Sequence, residues 1–129
     1  MASLRYNKTK GNRFETRVAE RLASLTGLPV ERRHLMGVND RGDLSGVVAG
    51  GHRIVVECKN VRGLAAVPQH LREAAREAVN DDALLGVVIQ KRDRVGIETE
   101  GGIDEQYAIM TVADLAKLLN ICNGKEVAE

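Results

Sequence analysis

Residues 43–59 decide the fold, and they read DLSGVVAGGHRIVVECK. Two runs rich in β-branched residues flank Gly50-Gly51, and paired glycines between such runs are typical of a tight turn. The sequence therefore predicts a β-hairpin with strands Asp43–Val48 and Arg53–Lys59 on either side of the turn Ala49–His52.

The second strand of this hairpin ends in polar residues. Side chains alternate between the two faces of a strand, so Glu57 and Lys59 should share one face, with their Cα atoms about 6.6 Å apart. Cys58 then points to the other face, where packing in the core is its expected role. Asp43 begins the paired strand, so the hairpin predicts two carboxylates and one lysine close together.

Such a set of residues points to hydrolysis of a phosphodiester. This reaction needs an activated water, a polarised phosphorus and stabilisation of charge on the leaving oxygen. Mg²⁺ can supply all three, and it usually binds one or two carboxylates together with water and substrate phosphate. Asp43 and Glu57 are therefore the predicted ligands of Mg²⁺ or Mn²⁺. Lys59 is predicted to orient the attacking water or to stabilise the developing charge.

The segment before the hairpin is predicted to hold a helix and a short strand. Apolar residues at steps of three and four indicate an amphipathic helix over Gly11–Leu25. Glu15 lies on the border of the apolar stripe of this helix and could complete the carboxylate site. The remaining elements before the hairpin are a strand, Val30–Leu35, and a loop, Met36–Gly42.

The segment after the hairpin predicts a helix followed by a buried strand. Pro68 suits the first turn of a helix that runs to about Asn80. The apolar side of this helix is predicted to consist of Leu71, Ala75, Ala78 and Val79. Leu84–Gln90 is a nearly continuous apolar run, which is typical of a strand covered on both faces.

In the last third of the chain, the sequence signal for strands is weaker, and it predicts Val95–Glu98 and Tyr107–Met110. A final helix to Asn120 is predicted to begin at a capping box of Thr111 and Asp114. This order of elements predicts a single α/β domain over residues 1–129, with a mixed central β-sheet flanked by helices. Residues 1–10 would form a basic N-terminal arm, and residues 121–129 a frayed tail.

Composition excludes several classes of function. The chain has 129 residues, of which 43% are hydrophobic, so it can form one core. Cys58 and Cys122 are isolated, so neither disulfides nor a zinc site are indicated. A cytoplasmic location is expected, in the host cell if the chain is viral. No apolar run is long enough to span a membrane. One Phe, two Tyr and no Trp argue against a surface that stacks on single-stranded bases.

The net charge of +1 hides an asymmetry between the two halves of the sequence. Residues 1–62 carry twelve basic and six acidic side chains, and residues 63–129 carry seven basic and twelve acidic ones. The basic segment could be a solubilising, mobile terminus, or it could follow a DNA backbone. We favour DNA because the same half holds the predicted catalytic residues. The predicted phosphate contacts are Arg5, Lys8, Lys10, Arg13, Arg17, Arg32 and Arg33.

Several motifs, in this order, resemble a known group of nucleases. They are Lys10-Gly11-x-x-Phe14-Glu15, Gly42-Asp43, Glu57-x-Lys59 and a glutamine, Gln69, in the following helix. Together they resemble the PD-(D/E)xK nuclease superfamily, and within it the small Holliday-junction resolvases of archaea and some phages. The resemblance covers roughly residues 5–90. In the family the Asp often follows Pro, whereas Gly42 precedes it here, but that Pro is a backbone preference and not a ligand.

The resemblance implies a restriction-endonuclease-like α/β fold and a Mg²⁺-dependent endodeoxyribonuclease, a hydrolase of DNA recombination and repair. Glu15, Asp43, Glu57 and Lys59 would form the active site. Gln69 would be a weaker member, because this glutamine recurs in some branches only. The substrate would be branched DNA, a four-way (Holliday) junction, resolved by a homodimer whose two-fold axis matches that of the junction.

Two other interpretations stay open. Fold does not fix substrate, so the chain could be another PD-(D/E)xK nuclease that cuts linear or flapped duplex DNA. It could also be a catalytically silent DNA-binding protein of the same fold. Taken singly, Glu57 and Lys59 could be a solvated strand surface, and Asp43 a turn residue. The presence of all four residues in order disfavours the silent protein.

Overall fold

The computed structural model describes residues 4–33 and 43–125, and for residues 4–9 the backbone alone. Its first element is a long helix, α1 (Leu4–Thr26), which begins well before the predicted start at Gly11. The helix continues through Gly11 because glycine lowers helix propensity by only about 1 kcal/mol and still permits helical φ and ψ. Residues 4–10, predicted as an arm separate from the helix, are therefore its first turns.

The predicted hairpin is confirmed at its glycine turn and in its second strand, but its first strand, predicted as Asp43–Val48, is only Val48–Ala49. β3 (Val48–Ala49) and β4 (His52–Lys59) pair in antiparallel fashion around Gly50 and Gly51. These two glycines have φ values of +55° and +83°. Such positive values are strained for other residues, which explains why two glycines stand at the turn.

The first strand of the hairpin is divided at Gly46, which has a φ of +83°. A Cβ atom on Gly46 would lie 2.2 Å from the Pro29 carbonyl oxygen, so only glycine permits this close approach. Before the break, β2 (Leu44–Ser45) pairs with β1 (Glu31–Arg32) in a separate two-stranded antiparallel sheet. The residue before β2, Asp43, therefore lies where the two sheets part.

The main sheet has four strands in the order β3-β4-β5-β6. β5 (Leu85–Gln90) runs parallel to β4, and β6 (Tyr107–Ile109) runs antiparallel to β5. A parallel pair needs a crossover connection, which α2 (Val67–Asn80) supplies. The predicted α/β class, with a mixed central sheet flanked by helices, is confirmed, and so is the buried strand at Leu84–Gln90.

Helices α1 and α2 cover opposite faces of this sheet. On one face of β4, Ile54, Val56 and Cys58 pack against Phe14 of α1 in a single hydrophobic core. Since side chains alternate along a strand, Glu57 lies on the other face, which α2 covers. Both faces of β4 are therefore buried, including the face that carries the predicted catalytic glutamate.

Two further helices complete the described chain. α3 (Glu100–Asp104) is a short helix in the segment between the predicted strands Val95–Glu98 and Tyr107–Met110, and α4 (Val112–Cys122) is the predicted last helix. Thr111 caps α4, because its Oγ1 accepts a hydrogen bond from the Asp114 N–H at 3.1 Å. The predicted tail is thus helical as far as Cys122, and residues 126–129 lie outside the described residues. No helix within residues 4–33 and 43–125 combines the length and the hydrophobicity needed to cross a membrane.

Two further predicted strands differ from the structure. Val95–Glu98 is not a strand, because Arg94 has a φ of +66° that breaks the extended path, and β6 takes the place beside β5 instead. The strand predicted at Val30–Leu35 is confirmed over Glu31–Arg32. Residues 34–42, which include the predicted loop, lie outside the described residues.

The apolar side predicted for α2 is confirmed at Ala78, which is buried, and wrong at Ala75 and Val79, which are exposed. Val79 is 80% exposed, whereas the side of α2 that is buried against the sheet consists of His70, Ala74, Glu77 and Ala78. The prediction assumed that buried helix positions are apolar, but α2 turns a carboxyl group and an imidazole toward the sheet.

Gly86 lets α2 approach β5 closely. A Cβ atom on Gly86 would lie 2.5 Å from the Ala74 carbonyl oxygen, a backbone atom that cannot move without shifting α2. We therefore expect Gly86→Ala to lower the free energy of unfolding by about 1–3 kcal/mol, the usual range for overpacking. Urea denaturation followed by circular dichroism measures the loss. Gly101→Ala is the control, because a Cβ atom there meets nothing within 4 Å. An equal loss in both variants would contradict this account of the packing.

Candidate active site

Asp43 lies beside the second half of β4 and is held there by backbone contacts. Its N–H donates to the Val56 carbonyl oxygen at 2.9 Å, and its Oδ2 atom accepts from the Cys58 N–H at 2.6 Å. These two bonds place the Asp43 carboxylate next to the segment that carries Glu57 and Lys59. The fold thus brings together the three residues that the hairpin pattern predicted to be neighbours.

Glu57 is buried within a cluster of carboxyl groups. It is 4% exposed, and hydrogen bonds link its side chain to those of Glu77 and Asp43. Burial, followed by the contacts with Glu77 and Asp43, raises the pKa of Glu57 to about 11. The closed cluster therefore favours a neutral Glu57, whereas a cation beside it would favour the ionised form.

Glu15 approaches the same cluster from α1. Its Oε2 atom lies 3.2 Å from Nε of Arg32. Burial and the nearby Asp43 carboxylate raise the pKa of Glu15 to about 7, although Arg32 and Lys59 oppose the shift. A carboxyl group with such a pKa can accept or release a proton near neutral pH.

Lys59, at the end of β4, is held by α2. Its Nζ lies 3.1 Å from Oε2 of Glu73, and Oε1 of Glu73 accepts from Nε2 of Gln69 at 3.3 Å. Burial disfavours the charged ammonium, but the bond with Glu73 and the nearby carboxylates outweigh it, so the pKa of Lys59 is raised. Lys59 is therefore charged at neutral pH. Gln69 is exposed and contacts Glu73, so it lies at the border of the site rather than inside it.

Two acidic residues of α2 belong to this site and were not predicted. Glu77 is 6% exposed and bonds to Glu57, and Glu73 pairs with Lys59. The sequence did hold a signal for them. Gln69, Glu73 and Glu77 follow one another at steps of four residues, so they share one side of the helix. That polar side points at β4.

The predicted DNA-binding residues differ in what they contact. Arg5 and Lys8 lie in the first turns of α1, where the backbone alone is described, and Lys10 lines an open cavity. Four others form ion pairs with protein carboxylates, and these pairs are Arg13–Glu98, Arg17–Glu20, Arg32–Glu15 and Arg33–Asp81. Such pairing leaves less of their charge to attract DNA phosphates.

Cys58 packs in the core, as the strand pattern predicted. It is buried, and burial together with the neighbouring Asp43 carboxylate raises the pKa of its thiol well above the ordinary value. A thiol kept neutral in this way is a poor nucleophile.

The donor set of the cluster fits a hard divalent cation. Within residues 4–33 and 43–125, no three His, Cys, Asp or Glu side chains are arranged as a complete metal site. Asp43 and Glu57 nonetheless meet the usual requirement of Mg²⁺, which takes one or two carboxylates and completes its shell with water and substrate phosphate.

Comparisons with models of protein families, with curated proteins and with solved structures found no match. The case for a function therefore rests on the sequence motifs and on the geometry of the site.

Proposed function

We propose that this protein is a Mg²⁺-dependent DNA endonuclease with a restriction-endonuclease-like fold. The observation that carries the proposal is the convergence of Glu15 from α1, Asp43 from the residue before β2, and Glu57 and Lys59 from β4. The same four residues carry the resemblance to the PD-(D/E)xK nucleases. A merely solvated strand surface would leave Glu57 exposed, whereas it is buried.

Asp43 and Glu57 are the proposed ligands of Mg²⁺ or Mn²⁺. When bound, such a cation supplies the positive charge that polarises the scissile phosphate and acidifies water. The bond from the Cys58 N–H holds the Asp43 carboxylate in place for this role. On binding the cation, Glu57 would release to solvent the proton that it holds in the closed cluster, since carboxylate ligands bind in their ionised form.

Glu15 and Lys59 are the proposed partners of the reacting atoms. The water oxygen attacks phosphorus, the bond from phosphorus to the leaving oxygen breaks, and the leaving oxygen takes a proton from solvent. The proton of the attacking water passes to a carboxylate oxygen of Glu15, whose pKa of about 7 suits a general base. The Lys59 ammonium, held by Glu73, stabilises the negative charge that develops on the phosphoryl oxygens.

The proposed substrate is a four-way DNA junction, and the proposed active form is a homodimer. Both follow from the resemblance to Holliday-junction resolvases. A dimer with two-fold symmetry would present two active sites to the two symmetry-related strands of the junction. Recognition by shape and backbone geometry needs no base-specific contact.

Cleavage of labelled DNA tests the proposal. The wild-type protein should cut a four-way junction in Mg²⁺ or Mn²⁺ but not in chelator. A linear duplex and a flap of matched sequence should be cut at least about tenfold more slowly, which corresponds to 1.36 kcal/mol of discrimination. Light scattering measures the oligomeric state, which should be a dimer.

The alternative functions are outcomes of the same assay. If linear or flapped duplex is cut in preference to the junction, the protein is a nuclease, but a four-way junction is not its substrate. DNA binding without cleavage in any divalent cation would overturn the nuclease and favour the catalytically silent DNA-binding protein.

A further inference from the structure

A basic pocket opens at the ends of the parallel strands β4 and β5. It encloses about 400 Å³ and is lined by the segments that follow the two strands and by one residue of α1. Its cations are Lys10, Arg62, Lys91 and Arg94, and Asp93 also lines it. We call these five residues the basic pocket. Four cations and one carboxylate give its wall a net charge of +3.

The basic pocket adjoins the candidate active site. The Lys91 N–H donates to the Lys59 carbonyl oxygen at 3.0 Å, so the two sites share a backbone hydrogen bond. Arg62 follows Lys59 by three residues, which limits the distance between their Cα atoms to about 11 Å. Phosphates along one DNA strand rise by about 3.4 Å each. A strand whose scissile phosphate lies at Lys59 therefore reaches the pocket within a few nucleotides.

A buried glutamine holds the wall of the basic pocket together. Gln90 is fully buried at the end of β5. Its Nε2 atom donates to the carbonyl oxygens of Val61, Gly63 and Lys91, at 2.8, 3.3 and 3.4 Å. This side chain ties the segment that carries Arg62 to the segment that carries Lys91. The wall is thus formed before any ligand arrives, which lowers the ordering cost of binding.

The four cations of the basic pocket share its wall with a single carboxylate, that of Asp93. Among the residues that the structure describes, none of the four forms an ion pair, whereas Arg13, Arg17 and Arg32 each do. Lys91 donates from Nζ to a backbone carbonyl oxygen, which carries no net charge. Positive charge that is concentrated in a cavity and only partly neutralised by a carboxylate attracts anions.

Arg94 adopts a backbone conformation that favours glycine. Its φ is +66°, in the left-handed region where residues with a side chain are uncommon. Its side chain is exposed, so packing in the core does not explain the choice of arginine. Strained positions of this kind cluster where a side chain serves binding or catalysis.

We infer that the basic pocket binds a backbone phosphate of the DNA strand that is cut, a few nucleotides from the scissile phosphate. The inference rests on the proposed function and deepens it, because it gives the path of the strand past Lys59. Arg62 and Arg94 are the principal contacts. Binding of this kind positions the substrate without reading its sequence.

Binding of a four-way junction in chelator tests the inference without requiring cleavage. Arg62→Ala and Arg94→Gly should each weaken binding several-fold and lower the slope of log K against log salt by about 1, the effect of one lost phosphate contact. Arg94→Gly should not destabilise the fold, because glycine tolerates a φ of +66°. Weaker binding by this variant therefore cannot come from unfolding. Lys125→Ala removes one exposed charge outside the pocket and should change neither quantity.

Three other results would contradict either the inference about the basic pocket or the proposed nuclease activity. Wild-type affinity and salt slope in both pocket variants would overturn the inference, as would a wild type that does not bind the junction. Titration with inorganic phosphate, followed by NMR, separates a DNA subsite from a plain anion site. If phosphate shifts the Arg94 signals while both variants bind DNA normally, the pocket is an anion site only and the inference is wrong. Cleavage is measured in a separate assay. If binding depends on the pocket but the junction is not cut, the proposed nuclease activity is wrong and the inference about the pocket stands.

Discussion

Asp43→Asn should abolish measurable metal-dependent cleavage and leave the protein folded. Asparagine keeps an oxygen that can accept the bond from the Cys58 N–H, so the contact that holds this position against β4 survives. It lacks the negative charge with which a carboxylate attracts a hard cation. Losing several kcal/mol of transition-state stabilisation corresponds to a rate reduced about 10³-fold or more. Single-turnover cleavage of a labelled junction, with the thermal unfolding midpoint recorded alongside, measures both effects.

Asp104→Asn is the matched control for this substitution. Asp104 is an exposed carboxylate that pairs with Arg21 at 2.7 Å. The control should cut at the wild-type rate. Undiminished cleavage by Asp43→Asn would remove Asp43 from the metal site, even if the protein proved to be a nuclease.

Glu57→Gln should stabilise the metal-free protein at about pH 8 and, at the same time, eliminate cleavage. Burial and its carboxyl neighbours raise the pKa of Glu57 to about 11, whereas the unfolded chain ionises it at the ordinary value of 4.5. Between these two values the folded state binds the additional proton. The free energy of unfolding therefore falls as pH rises, by up to about 1.4 kcal/mol per pH unit for this residue. Glutamine is neutral at every pH and removes that slope.

Urea denaturation of the metal-free protein from about pH 5 to about pH 8 measures this effect. The wild type should lose stability across the range, with Glu15 adding to the loss below its pKa of about 7. Mg²⁺ should restore stability at the upper end, because it binds the ionised carboxylates, and this gain should shrink in Glu57→Gln. Glu98→Gln, which alters an exposed carboxylate paired with Arg13, should keep the wild-type slope. Wild-type stability that rises with pH would refute the carboxyl cluster.

The hairpin and the buried strand could be predicted because their signals are local. Two glycines that must adopt positive φ stand between two β-branched runs, and the turn follows from those few residues. The continuous apolar run at Leu84–Gln90 likewise indicates a strand covered on both faces. Asp43, Glu57 and Lys59 were predictable as neighbours for the same reason, since they are close in sequence, although Asp43 precedes β2 rather than lying in the hairpin itself.

The contribution of α2 could not be predicted, because it depends on how the helix is rotated against the sheet. The helical spacing of apolar residues predicted that Val79 would be buried. In the structure, α2 lies close to β5 at Gly86, and Glu77 rather than Val79 faces the sheet. A buried carboxyl group looks like a surface residue in any pattern based on hydrophobicity. The polar spacing of Gln69, Glu73 and Glu77 was the available signal, and it has meaning only once Glu57 is known to lie opposite.

The basic pocket was hidden by the distribution of charge along the sequence. Lys91 and Arg94 come from the half with seven basic and twelve acidic side chains, which by its total charge is not a DNA-binding region. They meet Lys10 and Arg62 only because β4 and β5 are parallel and end at the same edge of the sheet. The net charge of each half of the sequence cannot show which charged residues become neighbours in the fold.

The parallel pairing of β4 and β5 also bears on when the site comes into existence during folding. A hairpin closes between neighbours in the chain, but a parallel pair must wait until its crossover helix has docked, and such non-local pairing is slow. That crossover helix, α2, is also the element that sets Glu77 against Glu57. A nascent or partly folded chain can therefore possess the hairpin without possessing the site, so the proposed cleavage of DNA would require the complete sheet.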